Sequence, residues 1–450
     1  MNPHIFREYD IRGVAQTDLT DEVVEKIGLS FATYLARDGA NAIVVGRDVR
    51  LSSDRLSRVI TKSLVDTGRR VIDVGVVPTP ILYFSIYHYE ADGGVMVTGS
   101  HNPKDYNGFK LCKGKSNIYG ETIQELRRIA EKGKFVKGSG SVRQDNPIPA
   151  YMQAIRERID LGRPLKVLID AGNGTVGPVA EELLQKLGVA VECLYCEPDG
   201  NFPNHLPDPT VEKYMQDLIK GVRTKGVDAG IGYDGDGDRI GVVDENGNMV
   251  WGDRLLGIFS KGVLRKAPGA KIIFDVKCSQ GLVEFIEREG GIPLMWKTGH
   301  SLIKAKMREE EAPLAGEMSG HMFFADNYYG YDDAIYASVR LLEIMSHATL
   351  PLSGLAAEVP YYQSTPEIRV DCEDERKFEV VETLKKYFAE RHEIIAIDGV
   401  RVLFDEGWGL IRASNTQPVL VLRFEAKTSQ KLGEIKTLIF NKLKEFGIKE

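Results

Sequence analysis

The acidic stretch DGDGDR carries the most specific chemistry in the chain. Asp234, Asp236 and Asp238 occupy alternate positions, and Gly235 and Gly237 between them let the backbone curl, so that the carboxylates reach toward one point. Carboxylate oxygens are the ligands that hard cations prefer in proteins. The stretch therefore predicts a site for Mg²⁺ or Ca²⁺.

Two alternatives compete with this interpretation of the acidic stretch. Its aspartates and Glu245 also match ligand positions of an EF-hand loop, but such a loop turns on a glycine where this chain has Arg239. The flanking stretches VDAGIG and IGVVDENG are also typical of strands, whereas an EF-hand is flanked by helices. A solvated acidic turn is disfavoured as well, because unpaired carboxylates this close together repel one another unless a cation lies among them.

Ser100 lies in a second unusual loop, TGSHNP, directly after an apolar run. A lone serine in such a loop is usually a turn residue, and the loop lacks the second glycine of a GxSxG nucleophile elbow, so acyl transfer is disfavoured. Phosphoryl transfer fits better, because it needs an oxygen nucleophile, a divalent metal and cations that hold spread negative charge. Candidate cations and proton carriers, each of which also has an ordinary role as a solvated or capping residue, are His101, Lys110, Arg239, Arg7 and Arg12.

Two further loops are rich in side chains that form hydrogen bonds. GEMSGH supplies Glu317, Ser319 and His321, which suit sugar hydroxyls and equally suit a polar turn at the end of a strand. RASNTQP combines a guanidinium with hydroxyls and an amide, which suit a phosphate oxyanion, although an ordinary hairpin turn has similar residues. The side chains of this last loop belong to Arg412, Ser414, Asn415 and Thr416.

Composition limits the class of protein. The 450 residues are 43% hydrophobic, which exceeds a single core and predicts about three or four domains. A net charge of −7 without a basic block argues against a nucleic-acid surface, and no apolar run approaches the roughly 20 residues of a membrane helix. The first residues contain no apolar signal core and the five cysteines form no framework, so we expect a cytoplasmic protein with reduced thiols, Cys193 and Cys196 being structural.

One pattern occurs three times along the chain, namely an apolar run, a helical segment, a glycine and a second apolar run. The copies begin at NAIVVGRDVR, LKVLIDAGNG and AKIIFDVKCS, and each is typical of a β-α-β unit. They predict three similar α/β domains with mixed, mostly parallel sheets, followed by a smaller C-terminal α+β domain. We place these domains at residues 1–147, 148–250, 251–360 and 361–450.

After each unit, a third apolar run ends in one of the loops TGSHNP, YDGDGDR and GEMSGH. Ligands of open α/β sheets bind beyond the carboxyl ends of the strands, so all three loops lie where chemistry is expected.

The chain resembles the α-D-phosphohexomutases over its whole length. The motifs YDIRG, TGSHNPxxYNGFK, DGDGDR, TGH, GEMSGH and RASNT follow one another in that family's order. The resemblance implies four domains around a central cleft. It also implies that Ser100 carries a phosphoryl group and that Asp234, Asp236 and Asp238 hold Mg²⁺ together with the phosphoserine.

The resemblance further implies a role for each residue that matches a family motif. Those implied to be catalytic are Ser100, His101, Lys110, Arg239 and Arg12, with Lys110 and His101 as candidates for acid and base. Those implied to bind the substrate are Tyr9, Lys277, His300, Glu317, Ser319, His321, Arg412, Ser414, Asn415, Thr416 and Arg423, the last five near the phosphate that is not reacting.

The loops GEMSGH and TGHSLIK resemble the bifunctional phosphomannomutase/phosphoglucomutase branch, whereas the phosphoglucosamine branch has a glutamine in place of Met318. The implied reaction transfers a phosphoryl group from phosphoserine 100 to a hexose 1- or 6-phosphate. The resulting hexose 1,6-bisphosphate, both intermediate and activator, reorients and returns its other phosphoryl group. The alternatives are a phosphoglucosamine mutase, a metal-dependent sugar phosphatase and a non-catalytic sugar-phosphate-binding protein, and the presence of Ser100 with all three aspartates argues against the last.

Overall fold

A computed structural model describes residues 1–415 and 417–448. Within these residues the strands form four sheets, and each sheet is built from one continuous part of the chain. The first three sheets mix parallel and antiparallel pairs, whereas the fourth is antiparallel. The predicted fold class, three α/β domains and a C-terminal α+β domain, is therefore confirmed.

The first sheet belongs to the N-terminal domain. Its strands are β1 (Ile11–Val14), β2 (Ala42–Arg47), β3 (Arg70–Val76), β4 (Gly93–Val97), β5 (Tyr106–Lys113), β6 (Ser116–Asn117) and β7 (Ser141–Gln144). Its helices are α1 (Asp21–Ala36), α2 (Ser53–Asp66), α3 (Thr79–His88) and α4 (Glu121–Lys132). The strand order is β1-β5-β4-β2-β3-β7, and β6 pairs with β5.

The second and third sheets repeat this plan with fewer strands. The second has β8 (Lys166–Asp170), β9 (Ala190–Leu194), β10 (Ala229–Tyr233), β11 (Ile240–Asp244) and β12 (Met249–Val250), with helices α5 (Ile148–Arg156), α6 (Gly177–Lys186) and α7 (Gln216–Lys225). The third has β13 (Lys271–Asp275), β14 (Ile292–Trp296), β15 (Leu314–Gly316) and β16 (Met322–Phe324), with helices α8 (Gly252–Lys266), α9 (Gln280–Arg288), α10 (His300–Glu310), α11 (Ala334–His347) and α12 (Leu352–Ala357).

The fourth sheet forms the centre of the C-terminal domain. Its strands are β17 (Gln363–Ser364), β18 (Ile368–Asp371), β19 (Ile394–Ile395), β20 (Val400–Phe404), β21 (Gly407–Ala413) and β22 (Val419–Ala426), and its helices are α13 (Lys377–Ala389) and α14 (Ser429–Lys444). The strand order is β17-β22-β21-β20-β19, with β18 also beside β22. The predicted strand, turn and strand around RASNTQP are β21, its loop and β22.

The first three sheets share one arrangement of four adjacent strands, β3-β2-β4-β5, β9-β8-β10-β11 and β14-β13-β15-β16. In each, the third strand runs parallel to the second, and the loop after it leads into an antiparallel fourth strand. These loops, residues 98–105, 234–239 and 317–321, contain the motifs singled out in the sequence. The same topology therefore places three loops of different residue types at corresponding edges of three sheets.

The three loops come together because the first three domains share a hydrophobic core. One buried cluster contains Val44 and Met96 of the first domain, Ile169 and Ile231 of the second, and Phe274 of the third. Burial of apolar surface on this scale fixes the relative placement of the sheets. The fourth domain has a core of its own and meets the third domain partly through a small apolar cluster of Val276, Trp408 and Leu410.

Candidate active site

Ser100 lies in the turn after β4 and faces the acidic loop of the second domain. Its φ is 49°, in the left-handed region, which costs a non-glycine residue about 1–2 kcal/mol. Thr98 Oγ1 accepts the Ser100 backbone N–H at 2.8 Å. The Ser100 hydroxyl is buried and donates to Asp234 Oδ2 at 2.8 Å. The structure thus places the predicted serine against the predicted metal ligands, although 134 residues separate them.

Asp234 closes the turn of the acidic loop through backbone hydrogen bonds. Its Oδ1 accepts the N–H groups of Gly237, Asp238 and Arg239 at 2.9, 3.0 and 3.2 Å. Gly237 has a φ of 77°, which favours glycine, so the glycines predicted to let the loop curl do so at this position. Burial raises the pKa of Asp234, and the charges of Asp238 and Asp236 raise it further.

Lys110 extends from β5 into the acidic loop. Its Nζ donates to Asp236 Oδ2 at 2.7 Å and also contacts Asp238 Oδ2, while Thr79 Oγ1 donates to Asp236 Oδ2 at 2.6 Å. Burial acts to lower the pKa of Lys110, but the two carboxylates raise it overall. The lysine therefore stays charged, and it offsets part of the negative charge of the loop.

The acidic loop can still accept a metal ion. Asp234, Asp236 and Asp238 are buried, and one oxygen of each lies within 4.8 Å of the others. In the described part of the chain, Asp236 Oδ1 and Asp238 Oδ1 are buried and accept no hydrogen bond. Three buried carboxylates, two of which have such an oxygen, are opposed by one ammonium and match the all-oxygen ligand set of a hard divalent cation.

Asp332 connects two histidines that the sequence placed in separate motifs. Its Oδ2 lies 3.2 Å from Nδ1 of His300 and 3.2 Å from Nδ1 of His321, and Lys304 Nζ donates to its Oδ1 at 2.5 Å. The two imidazole rings stack with centroids 5.5 Å apart. Burial lowers the pKa of His300 to about 4, and nearby Lys304 adds to the effect, so the ring is neutral at neutral pH.

Arg239 joins the acidic loop to the third domain. Its Nε donates to Nε2 of His321 at 3.0 Å. Because Nε2 accepts this bond, the His321 proton is assigned to Nδ1, which faces Asp332. Arg239 and His321, predicted from different motifs, therefore belong to one hydrogen-bonded cluster beside the predicted metal ligands.

His101 and Arg12 complete the polar surroundings of Ser100. His101 Nδ1 lies 3.0 Å from Ser100 Oγ. Burial lowers the pKa of His101 well below its usual value, and the charges of Arg239 and Arg12 lower it further. Arg12 pairs with Asp10, while its Nε is buried and finds no hydrogen-bond partner among the described residues.

Glu317 lies at the start of the GEMSGH turn, against the TGH turn. Its Oε1 accepts the Gly299 N–H at 2.5 Å, and its Oε2 lies 4.0 Å from His321 Nε2. Burial raises the pKa of Glu317 despite the neighbouring imidazole. Ser319 is half-buried on the same turn. The two motifs predicted to contact a sugar are thus adjacent in space.

Tyr9 connects three domains across the cleft. Its hydroxyl donates to the carbonyl of Thr298 at 2.7 Å and accepts from Asn415 Nδ2 at 2.8 Å. Its ring packs so closely on Gly299 that a Cβ there would lie 2.5 Å from a ring carbon. The N-terminal segment therefore meets both the third domain and the C-terminal loop.

Arg412 is held at the end of β21 by Asp398. Its Nε and Nη2 lie 3.1 and 3.0 Å from Asp398 Oδ2, and the Thr298 N–H donates to the same oxygen at 3.1 Å. This carboxylate thus joins the arginine of the RASNT motif to the third domain. The charge of Asp398 raises the pKa of Arg412 against the effect of burial.

Ser414 of the RASNT loop forms hydrogen bonds with residues that are near it in the sequence. The Ser414 N–H donates to the Val419 carbonyl at 3.0 Å, and Ser414 Oγ accepts the Gln417 N–H at 3.1 Å. Asn415 is half-buried and holds Tyr9 as described. Thr416, which the motif also includes, lies outside the described residues.

Lys277 and Arg423 lie together where the third and fourth domains meet. Lys277 Nζ lies 3.3 Å from Glu367 Oε2 and 3.6 Å from Asp275 Oδ2. Arg423 Nη1 donates to the Lys277 carbonyl at 2.7 Å, and its Nη2 lies 3.6 Å from Asp253 Oδ2. Both predicted residues are buried at the domain boundary, and Arg423 is engaged by groups of the third domain.

Several buried charged residues near the site were missed by sequence reasoning. Asp48 and Arg50 follow the carboxyl end of a parallel strand, β2, and this position alone could have found them. Asp332, Lys304 and Asp398 follow no such rule, because their neighbours come from other segments of the chain. Their importance becomes visible only through the contacts of the folded protein.

The cysteines differ in part from expectation. The structure joins Cys193 and Cys196 in a disulfide, so the prediction of reduced thiols is wrong for this pair. Tyr195, with a φ of 51°, turns the chain after β9 and leaves the two Cα atoms 6.0 Å apart, a separation that suits a disulfide. The remaining cysteines are buried free thiols, Cys112, Cys278 and Cys372.

Comparison with known proteins decides the family. Models of the phosphoglucomutase/phosphomannomutase family match the chain in order, with alpha/beta/alpha domains I, II and III at residues 3–137, 149–247 and 251–362 and the C-terminal domain at residues 367–442. The chain belongs to the phosphoglucomutase/phosphomannomutase family. The resemblance inferred from the sequence motifs is therefore confirmed.

Individual members of the phosphoglucomutase/phosphomannomutase family match almost the whole chain. A phosphomannomutase/phosphoglucomutase of Pseudomonas aeruginosa is 48% identical over 442 residues, 98% of this chain and 95% of the relative. A phosphoglucomutase of Neisseria gonorrhoeae is 46% identical over 436 residues, 96% of this chain and 95% of the relative. The crystal structure of a family protein from Burkholderia thailandensis superimposes with a TM-score of 0.93 at 43% identity, covering 99% of this chain and 98% of that one.

The relatives named above match this chain over nearly the whole length of both proteins. Within residues 1–415 and 417–448, no helix combines the length and the apolar character needed to cross a membrane.

Proposed function

We propose that this chain is a phosphohexomutase that moves a phosphoryl group reversibly between the 1- and 6-positions of hexose phosphates, those of mannose and of glucose. The names of its relatives support the reaction. The observation that carries the proposal is the 2.8 Å hydrogen bond between Ser100 Oγ and Asp234, inside a buried acidic loop able to hold a metal. Many buried charged groups around one hydroxyl are typical of a functional site, which supports this assignment.

The reaction has two steps in which bonds and protons balance. First, the bond between phosphorus and Oγ of phosphoserine 100 breaks while a bond forms from phosphorus to the free sugar hydroxyl. The sugar hydroxyl gives up its proton, and Ser100 Oγ regains one. After the 1,6-bisphosphate reorients, its other phosphoryl group returns to Ser100 by the reverse of this step, so no water is consumed.

The residues beside Ser100 suit different parts of these steps. Lys110 stays protonated between two carboxylates, so it can stabilise charge on the moving phosphoryl group but is unsuited to be a base. His101 is neutral and lies 3.0 Å from Ser100 Oγ, where its Nδ1 can form a hydrogen bond with that oxygen. Arg239 and Arg12 supply further positive charge for the phosphoryl oxygens.

We assign Mg²⁺ to Asp234, Asp236 and Asp238, together with the phosphoryl group on Ser100. When bound, the ion supplies positive charge that stabilises the negative charge developing on the phosphoryl oxygens. The assignment rests on the buried oxygens of Asp236 and Asp238 that accept no hydrogen bond from the described residues.

We assign the remaining predicted residues to the substrate. The cleft wall formed by the TGH and GEMSGH turns would hold the sugar through His300, Glu317, Ser319 and His321, with Tyr9 and Lys277 at its edges. The distal phosphate would lie against the C-terminal domain, near Arg412, Ser414, Asn415, Thr416 and Arg423. The domain boundaries at residues 147, 250 and 360 are part of this proposal, supported by sheets that stay within them, and so is a cytoplasmic location.

Burial favours a mutase over a phosphatase. Ser100, Lys110 and the three aspartates of the acidic loop are each 3% exposed or less. Side chains buried this deeply can shield a phosphoserine from water, which supports transfer to a sugar over hydrolysis.

A coupled assay with mannose 1-phosphate, glucose 1-phosphate and glucosamine 1-phosphate, run beside a measurement of released phosphate, tests the proposal. We expect conversion of the first two sugars to their 6-phosphates with negligible phosphate release. Stoichiometric release of phosphate would indicate a phosphatase, and a preference for the glucosamine substrate would indicate the phosphoglucosamine alternative. A kcat/KM ratio between glucose and mannose substrates beyond about a thousandfold, about 4 kcal/mol, would contradict bifunctionality.

A further inference from the structure

The loop that carries Ser100 is wrapped around the guanidinium of Arg50. Arg50 Nη2 donates to the carbonyl oxygens of Ser100 and Asn102 at 2.7 and 2.6 Å. Its Nη1 donates to those of Pro103 and Tyr106 at 2.6 and 3.0 Å. The Arg50 side chain is 0% exposed, so no water competes for these bonds.

Asp48 completes the hydrogen bonds of this guanidinium. Its Oδ2 accepts Arg50 Nε at 3.2 Å and the Gly99 N–H at 3.0 Å, and its Oδ1 accepts the Arg50 N–H at 3.0 Å. A guanidinium has five N–H donors in a rigid planar fork, and here all five have acceptors. Arg50 therefore holds carbonyl groups of the loop, while Asp48 holds one of its amide groups.

Packing leaves the guanidinium no room to move. A Cβ on Gly99 would lie 2.5 Å from Arg50 Cζ, so the loop approaches as closely as glycine allows. On another side, the ring of Phe202 lies 5.0 Å from Cζ. Phe202 lies between β9 and β10 of the second sheet, the sheet that also carries the acidic loop. Arg50 thus contacts both the Ser100 loop and the domain that carries the acidic loop.

We infer that Arg50 is a positioning residue for phosphoryl transfer, an inference that rests on the proposed function. It holds the carbonyl of Ser100 and so keeps that residue in its left-handed conformation, with Oγ facing Asp234. All of its donors are taken by protein atoms, so it acts through Ser100 and not on the substrate. Lysine cannot replace it, because one ammonium cannot reach five acceptors arranged around a plane.

The test compares Arg50→Lys with Arg69→Met in the same domain. Arg69 also donates to two backbone carbonyls, those of Ala40 and Ala32 at 2.6 and 3.2 Å, but it lies outside the site. We expect Arg50→Lys to lower kcat by about a hundredfold, the cost of a misplaced reacting group, with KM for glucose 1-phosphate changed less than about threefold. Hydrogen exchange of amides 99–106 should accelerate in Arg50→Lys and not in Arg69→Met. Arg69→Met should keep kcat within about twofold even if its Tm falls by as much as that of Arg50→Lys.

Each result decides the inference. A wild-type kcat in Arg50→Lys, an effect confined to KM, or an equal loss of kcat in Arg69→Met at equal Tm would overturn it. If Arg50→Lys does not fold, Gly99→Ala takes its place, because its methyl group must displace the guanidinium without removing the charge. Wild-type kcat in folded Gly99→Ala would also overturn the inference.

Failure of the proposed function would look different. In that case the wild-type chain itself would show no mutase activity, or Ser100→Ala would retain it. Hydrogen exchange of amides 99–106 would still report whether Arg50 holds the loop, since this measurement requires no turnover.

Discussion

The two loops proposed to hold opposite ends of the substrate are built in different ways. The Ser100 loop is fixed by four of the five side-chain donors of Arg50, and by Asp48, which accepts the fifth donor and the Gly99 N–H. In the described part of the C-terminal loop, Asn415 bonds Tyr9, and Arg412 is paired with Asp398, which accepts the Thr298 amide of the third domain. One loop is held by a network around a single guanidinium, and the other reaches the N-terminal and third domains through hydrogen bonds from separate side chains.

This difference matches the two tasks that the proposed reaction sets. Phosphoryl transfer requires a nucleophile held close to its productive position, so the reacting end needs a fixed loop. The other end must bind a phosphate in two substrate orientations and then release it, which favours contacts that break individually. Substitutions in the first loop should therefore act on kcat, and substitutions in the second should act on KM and on retention of the intermediate.

The largest effect should come from Ser100→Ala. The change removes the phosphoryl carrier but costs little stability, so we expect turnover to fall by about four orders of magnitude or more in a folded protein. Steady-state kinetics and thermal unfolding give the two readouts, with Ser116→Ala on β6 as a control that should keep wild-type turnover. Near-normal activity of Ser100→Ala would remove the basis for treating the loops differently.

Asp236→Asn should act next most strongly, through the metal. Replacing one of three carboxylates weakens the charge and the ligand set, so we expect the Mg²⁺ concentration needed for half-maximal activity to rise at least about tenfold, with partial rescue by excess Mg²⁺. Titration of Mg²⁺ into protein treated with EDTA measures this. Activity that is indifferent to EDTA in the wild type would show that the acidic loop works without a metal.

Arg412→Ala should distinguish the role of the C-terminal loop from that of the Ser100 loop. Losing one or two charge-assisted hydrogen bonds to the distal phosphate, each worth about 1.5–3 kcal/mol, should raise KM about ten- to a hundredfold. Ser100 should still become phosphorylated, and more 1,6-bisphosphate should escape per turnover. Intact mass and release of labelled bisphosphate test both statements, and an Arg412→Ala protein with wild-type KM and wild-type leakage would show that this loop does not hold the phosphate.

Tyr9→Phe should have the smallest effect. It removes a hydroxyl that bonds Thr298 and Asn415 but keeps the ring against Gly299, so we expect KM to rise only about fivefold, near 1 kcal/mol, with kcat nearly unchanged. Kinetics beside the wild type suffice for the comparison. A large loss of kcat would mean that the cleft contact is as rigid as the Ser100 loop.

Much of this organisation could be predicted from local sequence. The β-α-β repeats fixed the class of the first three domains, because alternating strands and helices have few stable arrangements. The acidic loop and Ser100 were recognisable because their residue types are unusual for strand ends. The 2.8 Å contact between Ser100 and Asp234 was implied by family resemblance and not by pattern, since it depends on how two sheets pack.

What sequence reasoning missed has a common physical cause. The role of Arg50 depends on the backbone carbonyl groups that surround it. Every residue has such a carbonyl, so the sequence does not show which ones a side chain contacts. Asp332 is defined by two histidines and Lys304, which lie 11 to 32 residues away along the chain. The disulfide between Cys193 and Cys196 depends on the left-handed turn at Tyr195, which the sequence did not predict.

The most direct test of the central claim is transfer of a labelled phosphoryl group through Ser100. The protein is mixed with glucose 1,6-bisphosphate labelled with ³²P, and rapid quenching is followed by peptide mass spectrometry. We predict that the label appears on Ser100 and leaves it for glucose 1- or 6-phosphate at rates no slower than kcat, and that it is absent from Ser100→Ala. Turnover without label on Ser100, or transfer of the label from Ser100 to water instead of sugar, would contradict the account.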